Sequence, residues 1–342
     1  MKTARSMSLP IVCLVVIHLV VIFAGFVAPY SFDTQERFHS FAPLSRIHFI
    51  DNNGKFHLRP FVYTLKSGED DPNEYREDRS TVYPIRFFVS GDEYWLLGVW
   101  RCRVHFFGVD APARIYLLGA DGFGRDQFSR LLYGGRISLF AGFLAAIVSV
   151  GLGLGLGATA GFYGGLIDDV IMRFADLFIV VPWFYLLLAI RAVLPLQIPP
   201  AVAFLLVVIV IGTIGWGRPA RLVRGVVMSG RERNYVLAAR SFGASNFYLV
   251  RRHILPLTWG VVLTQAAVLI PQFILAEVIL SFFGLGIGEP MPSWGNMLAY
   301  AQQYHILVSY WWMLLPGLAP IPIFLAYHRL ADYLHARLQS LS

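Results

Sequence analysis

The sequence predicts an all-α polytopic membrane protein of about six transmembrane helices, carrying a β-rich insertion on the outer side. Three observations predict it. The composition is 56% hydrophobic and 14% charged with a mean hydropathy of +0.59, against roughly 25% charged in soluble domains. Apolar runs long enough to cross a bilayer recur along the chain. The excess positive charge collects in one stretch: between Arg218 and Pro256 eight arginines stand against Glu232 alone, a net +7 that equals the charge of the whole chain. Such local asymmetry marks a stretch that faces the cytoplasm. It also accounts for the pI of about 9.5 without a nucleic-acid partner.

Six runs approach the roughly twenty apolar residues that a bilayer requires. They are Leu9–Ala28, Ile137–Ala160, Val170–Leu194, Ala201–Trp216, Trp259–Leu285 and Ile306–Tyr327. Lys2 and Arg5 would suit a signal peptide, but the apolar run is long for one and no small-x-small cleavage site follows. Residues 1–30 are therefore expected to be an uncleaved anchor. Six spans with the basic stretch inside put both termini in the cytoplasm. Residues 29–136 and the short loops near Leu194–Pro200 and Gly286–His305 then face outward. The core over 116–342 holds five spans and a cytoplasmic loop at 218–257.

The insertion, 31–115, reads as extended chain. RIHFIDNNGKFHLRPFVYTL has two runs joined at Asn53-Gly54, a strong hairpin signal. YPIRFFVSGDEYWLLGVWRCRVHFFG predicts further aromatic-rich strands about a Ser90-Gly91-Asp92 turn. SGEDDPNEYREDRS between them is polar and expected to be a mobile loop. The insertion either contacts a substrate-delivery protein or is a structural extension.

Gly153, Gly157, Gly161 and Gly165 recur every fourth residue, so they share a helix face that a neighbouring helix can approach. GLGLGLG here follows no soluble strand, so helix packing explains it better than nucleotide binding. Pro182, Pro316, Pro320 and Pro322 interrupt the third and sixth spans, for packing geometry or to line a pathway. Glu277 is the one carboxylate deep in a clean apolar run. It either fastens helices, with Ser281 one turn on, or acts on substrate or gate. Arg173 and Asp176 are spaced to pair on one helix face. No H-E-x-x-H, G-x-S-x-G, phosphate loop or cysteine–histidine metal spacing is present, so no catalytic residue, cofactor or metal is expected. Cys13 lies in an apolar run and Cys102 far outside it, so no disulfide is expected.

Tyr235-Val236-Leu237-Ala238-Ala239-Arg240, Gly243-Ala244-Ser245 and His253-Ile254-Leu255-Pro256 resemble the cytoplasmic loop of the permease subunits of ABC importers, in the dipeptide/oligopeptide and nickel branch. That loop reads roughly Y-V-E-A-A-R-x-x-G-A-S, then H-I-L-P. LGADGFGRDQFSRLLYGGRISL (Leu118–Leu139) is similar to the family's approach to its second span. AEVILSFFGLG (Ala276–Gly286) with PSWGNML (Pro292–Leu298) is similar to its fifth span and following loop, and Trp311-Trp312 with Pro316-Gly317 to its sixth. The resemblance runs from about Tyr116 to the C-terminus and excludes the insertion.

The resemblance implies the type I importer permease fold and a loop that forms a coupling helix in a cleft of an ATPase subunit. It implies a second permease in a heterodimer, two cytoplasmic ATPases and an extracytoplasmic substrate-binding protein, assembled in a bacterial inner membrane. The family glutamate before the two alanines is Leu237 here, which removes one expected polar contact and raises the hypothesis that the partner permease carries the intact motif and this subunit couples more weakly. Ala120 replaces a usual threonine, and the tail keeps Asp332 but not its surroundings. The function expected is ATP-driven import of peptides or similar small solutes. The alternative is a secondary transporter or channel without an ATPase, whose usual signs are inverted repeats and mid-membrane polar residues.

Overall fold

The computed structural model describes residues 2–68, 74–180 and 199–339, with Pro182, Tyr185, Leu186, Leu188 and Ala189 between the last two. The chain divides into two units. One comprises Met1–Leu14, Leu139–Ile279 and Pro320–Ser342; the other comprises Val15–Ser138 and Leu280–Ala319.

The first helices are α1 (Lys2–Ile22) and the short α2 (Ala24–Val27). Three strands follow, β1 (His48–Ile50), β2 (Phe56–Ser67) and β3 (Tyr75–Pro84), in an antiparallel sheet of that order. At the β1–β2 turn Gly54 takes φ +77°. Asp51 Oδ1 accepts the N–H groups of Asn53 and Lys55 at 2.8 and 3.0 Å. Tyr75–Ser80, expected in a loop, lies in β3, because its charges find cross-strand partners. Lys66 Nζ lies 2.7 Å from Asp78, and His48 Nε2 lies 2.8 Å from Glu77. Ser67 ends β2, the Gly68 N–H donates to the Glu74 carbonyl, and 69–73 of that expected loop lie outside the described residues.

β4 (Arg86–Leu96) and β5 (Trp100–Gly108) form a separate antiparallel hairpin. The expected turn at Ser90-Gly91-Asp92 is absent: β4 runs through it with a register shift between Ser90 and Tyr94. Gly91 serves a close approach instead, since a Cβ there would lie 2.7 Å from His105 Cδ2. The Asp92 carboxylate accepts the Ser31 N–H and the Thr34 hydroxyl at 2.9 and 2.7 Å. The reversal comes at Leu97-Gly98, both at positive φ. Val62, Ile85, Phe107 and Ile115 form the buried core beneath these strands.

The helical part begins with α3 (Gln127–Tyr163) and α4 (Gly165–Val180), separated by Gly164 at φ +66°. α5 (Pro200–Ile214) and α6 (Gly217–Arg231) are bent by 44° at Gly215-Trp216. α7 (Asn234–Ser241), α8 (Asn246–Tyr248), a π-helical turn at Leu249–Ile254 and α9 (Leu255–Phe282) follow. α10 (Trp294–Ala299), α11 (Tyr304–Ser309), α12 (Leu315–Leu318) and α13 (Pro320–Gln339) complete the chain. Among the described residues three helices are long and apolar enough to cross a membrane: Gln127–Tyr163, Asn246–Phe282 and Trp311–Arg337. The bent α5–α6 pair makes a fourth if it is one span, and Leu9–Ile22 is a shorter apolar helix. The third expected span, Val170–Leu194, and the loop at Leu194–Pro200 run into residues outside the described set.

The glycine stripe of α3 packs on α6. A Cβ at Gly153 would lie 2.5 Å from Pro219 Cβ, one at Gly157 2.4 Å from the Ala220 carbonyl oxygen, and one at Gly161 2.7 Å from that of Arg224. Gly165 does not continue the stripe; its φ of +56° follows the break between α3 and α4. α6 buries Ala220, Val223 and Val227, exposes Arg218 and Arg221 and keeps Arg224 and Arg231 half-buried, so the basic stretch expected as a loop begins as an amphipathic helix. Two of those arginines meet acids of α4: Arg224 binds Asp168, and Arg221 binds Asp176. The expected Arg173–Asp176 pair is thus replaced by a contact between helices, where an arginine on the facing helix reaches Asp176.

Candidate functional site

The basic bend is built from α6 to α9. α7 has a polar N-terminus and ends at Gly243 in a Schellman motif: Ala244 N–H donates to the Ala239 carbonyl at 3.1 Å and Gly243 N–H to that of Arg240 at 3.0 Å. Gly243 takes φ +85°, which the motif requires and which an L side chain resists. Ser245 then caps α8, its Oγ accepting the Tyr248 N–H at 3.3 Å. From Asn246 the chain is helical to Phe282. A glycine that stops one helix and a serine that starts the next therefore define the bend.

Three buried aliphatics, Val236, Leu249 and Ile254, seat the bend. The His253 ring lies between those of Tyr235 and Tyr248, with centroids 5.9 and 5.6 Å away. Arg231 donates to the carbonyls of Gly161 and Phe162 at 3.2 Å each, supplying cationic donors at the C-terminal end of α3. Arg240 stacks over the Phe162 ring at 5.7 Å. Apolar and cationic side chains are prominent on what is left outward. Phe242 is 91% exposed, Phe247 73% and Leu237 47%. Ala238 and Ser245 are also exposed, whereas Ala239 and Ala244 are half-buried. Among the described residues Arg233, Arg240, Arg251 and Arg252 enter no ion pair. Pro256 sits exposed just after the π-helical turn at Leu249–Ile254, inside the continuous helical run, where it can donate no backbone N–H to the ladder. The spacing in the sequence located this bend; the exposed Phe242 and Phe247 carried no signal there beyond being aromatics among polar residues.

Of the residues expected on a pathway or in helix packing, Glu277 and Ser281 lie one turn apart in α9. Glu277 is fully buried in α9. The Ser281 hydroxyl accepts the Ile287 N–H at 3.3 Å, fixing the turn after α9. Pro316 is buried in α12. The Pro182 carbonyl accepts the Tyr185 N–H at 3.0 Å, and most residues around it are outside the described set. A cavity of about 250 Å³ lies among α4, α5, α6 and α9, lined by Phe178, Ile214, Phe273 and Ala276 with Arg218 and Gln272 as its polar groups.

A second cluster, not anticipated from sequence, surrounds the start of α3. Arg125 binds Asp121 at 2.7 Å and Glu289 at 2.8 Å, and Arg130 reaches Glu289 at 2.8 Å. Burial pulls the Arg125 guanidinium down, but its bonds to Glu289 and Asp121 outweigh this and hold it above its ordinary value. Asp126 is buried beside it, and burial pushes its carboxyl up to about 6 despite the Ser129 N–H and hydroxyl donating to Oδ2. No group of three or more metal-ligating side chains occurs among the described residues.

Comparison with known proteins agrees with this architecture. The family described as binding-protein-dependent transport system inner membrane component matches residues 153–340. The dipeptide transport system permease protein DppC of Bacillus subtilis (strain 168) is 39% identical over 59% of this chain and 61% of its own length. The DppC protein of Alkalihalophilus pseudofirmus is 35% identical, over 66% of this chain and 71% of that one. The oligopeptide transport system permease protein OppC of Bacillus subtilis is 36% identical, over 54% and 59%. The chain thus spans about three fifths of the length of the two Bacillus subtilis relatives. The family match takes in the whole of α6 to α9, including the Gly243 bend. This chain belongs to the family of binding-protein-dependent transport system inner membrane components.

Proposed function

We propose that the chain is the transmembrane permease subunit of an ATP-driven importer of peptides or similar small solutes. It contributes no catalytic residue; ATP is hydrolysed by separate partner chains. The reading carries the names of its relatives, which are dipeptide and oligopeptide permeases, onto a site of suitable chemistry. The observation that carries it is the bend at Gly243: a short helix with small and apolar outward residues, ringed by arginines that meet no acid among the described residues. Such a surface fits a cleft with acidic and carbonyl groups on another protein. Closure of two ATPases would press the paired loops together and swing the spans between inward-open and outward-open states.

The finer reading is a core of six spans in a bacterial inner membrane with both termini cytoplasmic. A second, different permease would complete the pore, and an extracytoplasmic binding protein would deliver cargo to the outer face. The cavity at Arg218 and Gln272, with buried Glu277 in the same helix as Gln272, suits a place on the pathway. A secondary transporter would require none of the features of the Gly243 bend.

The test is co-purification with the two ATPases. Deleting Ala238–Gly243 is expected to abolish their capture while the chain still fractionates with membranes. Capture undiminished by the deletion would refute the assignment.

A further inference from the structure

The β4–β5 hairpin runs back along the first helical segment of the chain. At its base Phe107 belongs to the buried cluster against which Tyr30 packs. Further along, His105 Nδ1 lies 2.6 Å from the Ala28 carbonyl. Further still, Tyr94, paired with Cys102, presses on Gly25, where a Cβ would lie 2.4 Å from Tyr94 Cδ2. As the hairpin advances from 107 to 105 to 102, its neighbour recedes from 30 to 28 to 25. At about 3.3 Å per strand residue, the tip beyond Tyr94 continues toward α1 and its apolar run.

That tip is apolar on both faces. Trp95 is 52% exposed, Leu97 48%, Val99 65% and Trp100 60%. The turn itself departs from what water selects. Leu97 and Gly98 are its central residues at φ +52° and +74°, closed by Val99 N–H donating to the Leu96 carbonyl at 3.1 Å. Asparagine or aspartate is the ordinary occupant of the first position, and leucine there adds strain. Arg101 places its guanidinium over the Trp95 ring at 4.8 Å. Phe88 and Phe106 pack on Phe26 with ring centroids 6.2 and 5.9 Å away, joining the hairpin to the helical segment. Nearer the start of the chain α1 exposes Val15, Val16 and Leu19.

We propose that the β4–β5 tip is an interfacial anchor that inserts Trp95, Leu97, Val99 and Trp100 into the outer leaflet beside α1, with Arg101 at the level of the lipid phosphates. The proposal rests on α1 being the first membrane span. Tryptophan and arginine at the headgroup boundary are the usual composition of such an anchor. The insertion is shallow, because a hairpin turn leaves backbone groups that the hydrocarbon core cannot satisfy. A two-stranded hairpin is marginal alone in water, and the lipid supplies the missing apolar partner. The direction of the hairpin, toward the apolar helix rather than away from it, favours lipid over a soluble protein as occupant.

The test uses the full chain in lipid nanodiscs of phosphatidylethanolamine and phosphatidylglycerol. Val99→Cys and, separately, Val16→Cys are made with Cys13 and Cys102 replaced by serine, and each is labelled with an environment-sensitive fluorophore. A spin label high on the acyl chain is expected to quench the probe at 99 roughly threefold more than one near the chain end, as shallow insertion requires. Leu97→Asn keeps a residue suited to the turn and is expected to weaken that quenching. Quenching at 16 but not at 99, or quenching at 99 by aqueous iodide alone, overturns the anchor and leaves the first span standing. Absence of lipid quenching at both positions overturns the span and the anchor with it. Protection at 99 that appears only when the substrate-binding protein is added assigns the tip to protein docking and overturns the lipid assignment.

Discussion

Gly157 shows what one hydrogen atom in place of a side chain permits. Its backbone lies so near the Ala220 carbonyl that a Cβ would stand 2.4 Å from the oxygen, and backbone cannot yield as a side-chain tip can. Gly157→Val is expected to separate α3 from α6 and lower stability by about 1–3 kcal/mol, read as a lower thermal unfolding midpoint in detergent. Gly155→Val, with open space at its Cβ position, is the matched control and is expected to change the midpoint little. The four-residue period of these glycines is enough to imply a close helix contact, but it names neither the partner helix nor the exclusion of Gly165. The Asp168–Arg224 and Asp176–Arg221 pairs were invisible for a physical reason. Sequence spacing reports neighbours on one helix, and these partners sit on two. Asp126 makes a prediction with a sign. Its folded carboxyl titrates near 6 rather than 3.8, so the stability it contributes is fully present below about pH 4 and is lost as pH rises through about 6. Asp126→Asn keeps an acceptor for Ser129 and removes the charge. It is expected to raise the unfolding midpoint relative to the parent at pH 7 and to lose that advantage near pH 4.

At the scale of elements, the bend between α7 and α8 depends on the sign of one dihedral angle. Nothing lies within 4 Å of a Cβ built on Gly243, so Gly243→Val would act through backbone strain alone, costing about 1–2 kcal/mol. It is expected to fray α7 and reduce substrate-stimulated ATPase activity in the reconstituted complex, with membrane insertion of the chain unchanged. Leu237→Glu places a carboxylate on the exposed side of the same helix and is expected to leave that activity equal or higher; its collapse would overturn the idea that leucine at this position weakens coupling. The bend was legible because a Schellman end and a serine cap both leave a local residue signature. The β4–β5 reversal was not. Ser90-Gly91-Asp92 has the composition of a turn, yet His105 needs the space at Gly91 and the Ser31 N–H and Thr34 hydroxyl need the Asp92 carboxylate. The actual reversal at Leu97-Gly98 carries a leucine that no turn rule favours.

For the whole molecule, hydropathy located the apolar runs, but run length alone did not fix which are single straight spans. α5 and α6 form one candidate span only across a 44° bend, and the run ending at Arg337 reaches its length through 3₁₀ and α segments joined at prolines. Sidedness gives the prediction that belongs at this scale. A cysteine replacing Phe242 is expected to react with a membrane-impermeant maleimide only from the cytoplasmic side, and one replacing Asn53 only from the outside. Labelling of position 242 from outside would place the bend beyond the reach of any ATPase. The unbroken helical run from Asn246 to Phe282 has a mechanical consequence. Its 37 residues amount to roughly 55 Å at 1.5 Å per residue, so a tilt of about five degrees at the capped end displaces the far end by about 5 Å. Pro271, inside that run, and the π turn at its foot are the places where such a rod has reason to flex, and stiffening either would change how far a push at Ser245 is felt.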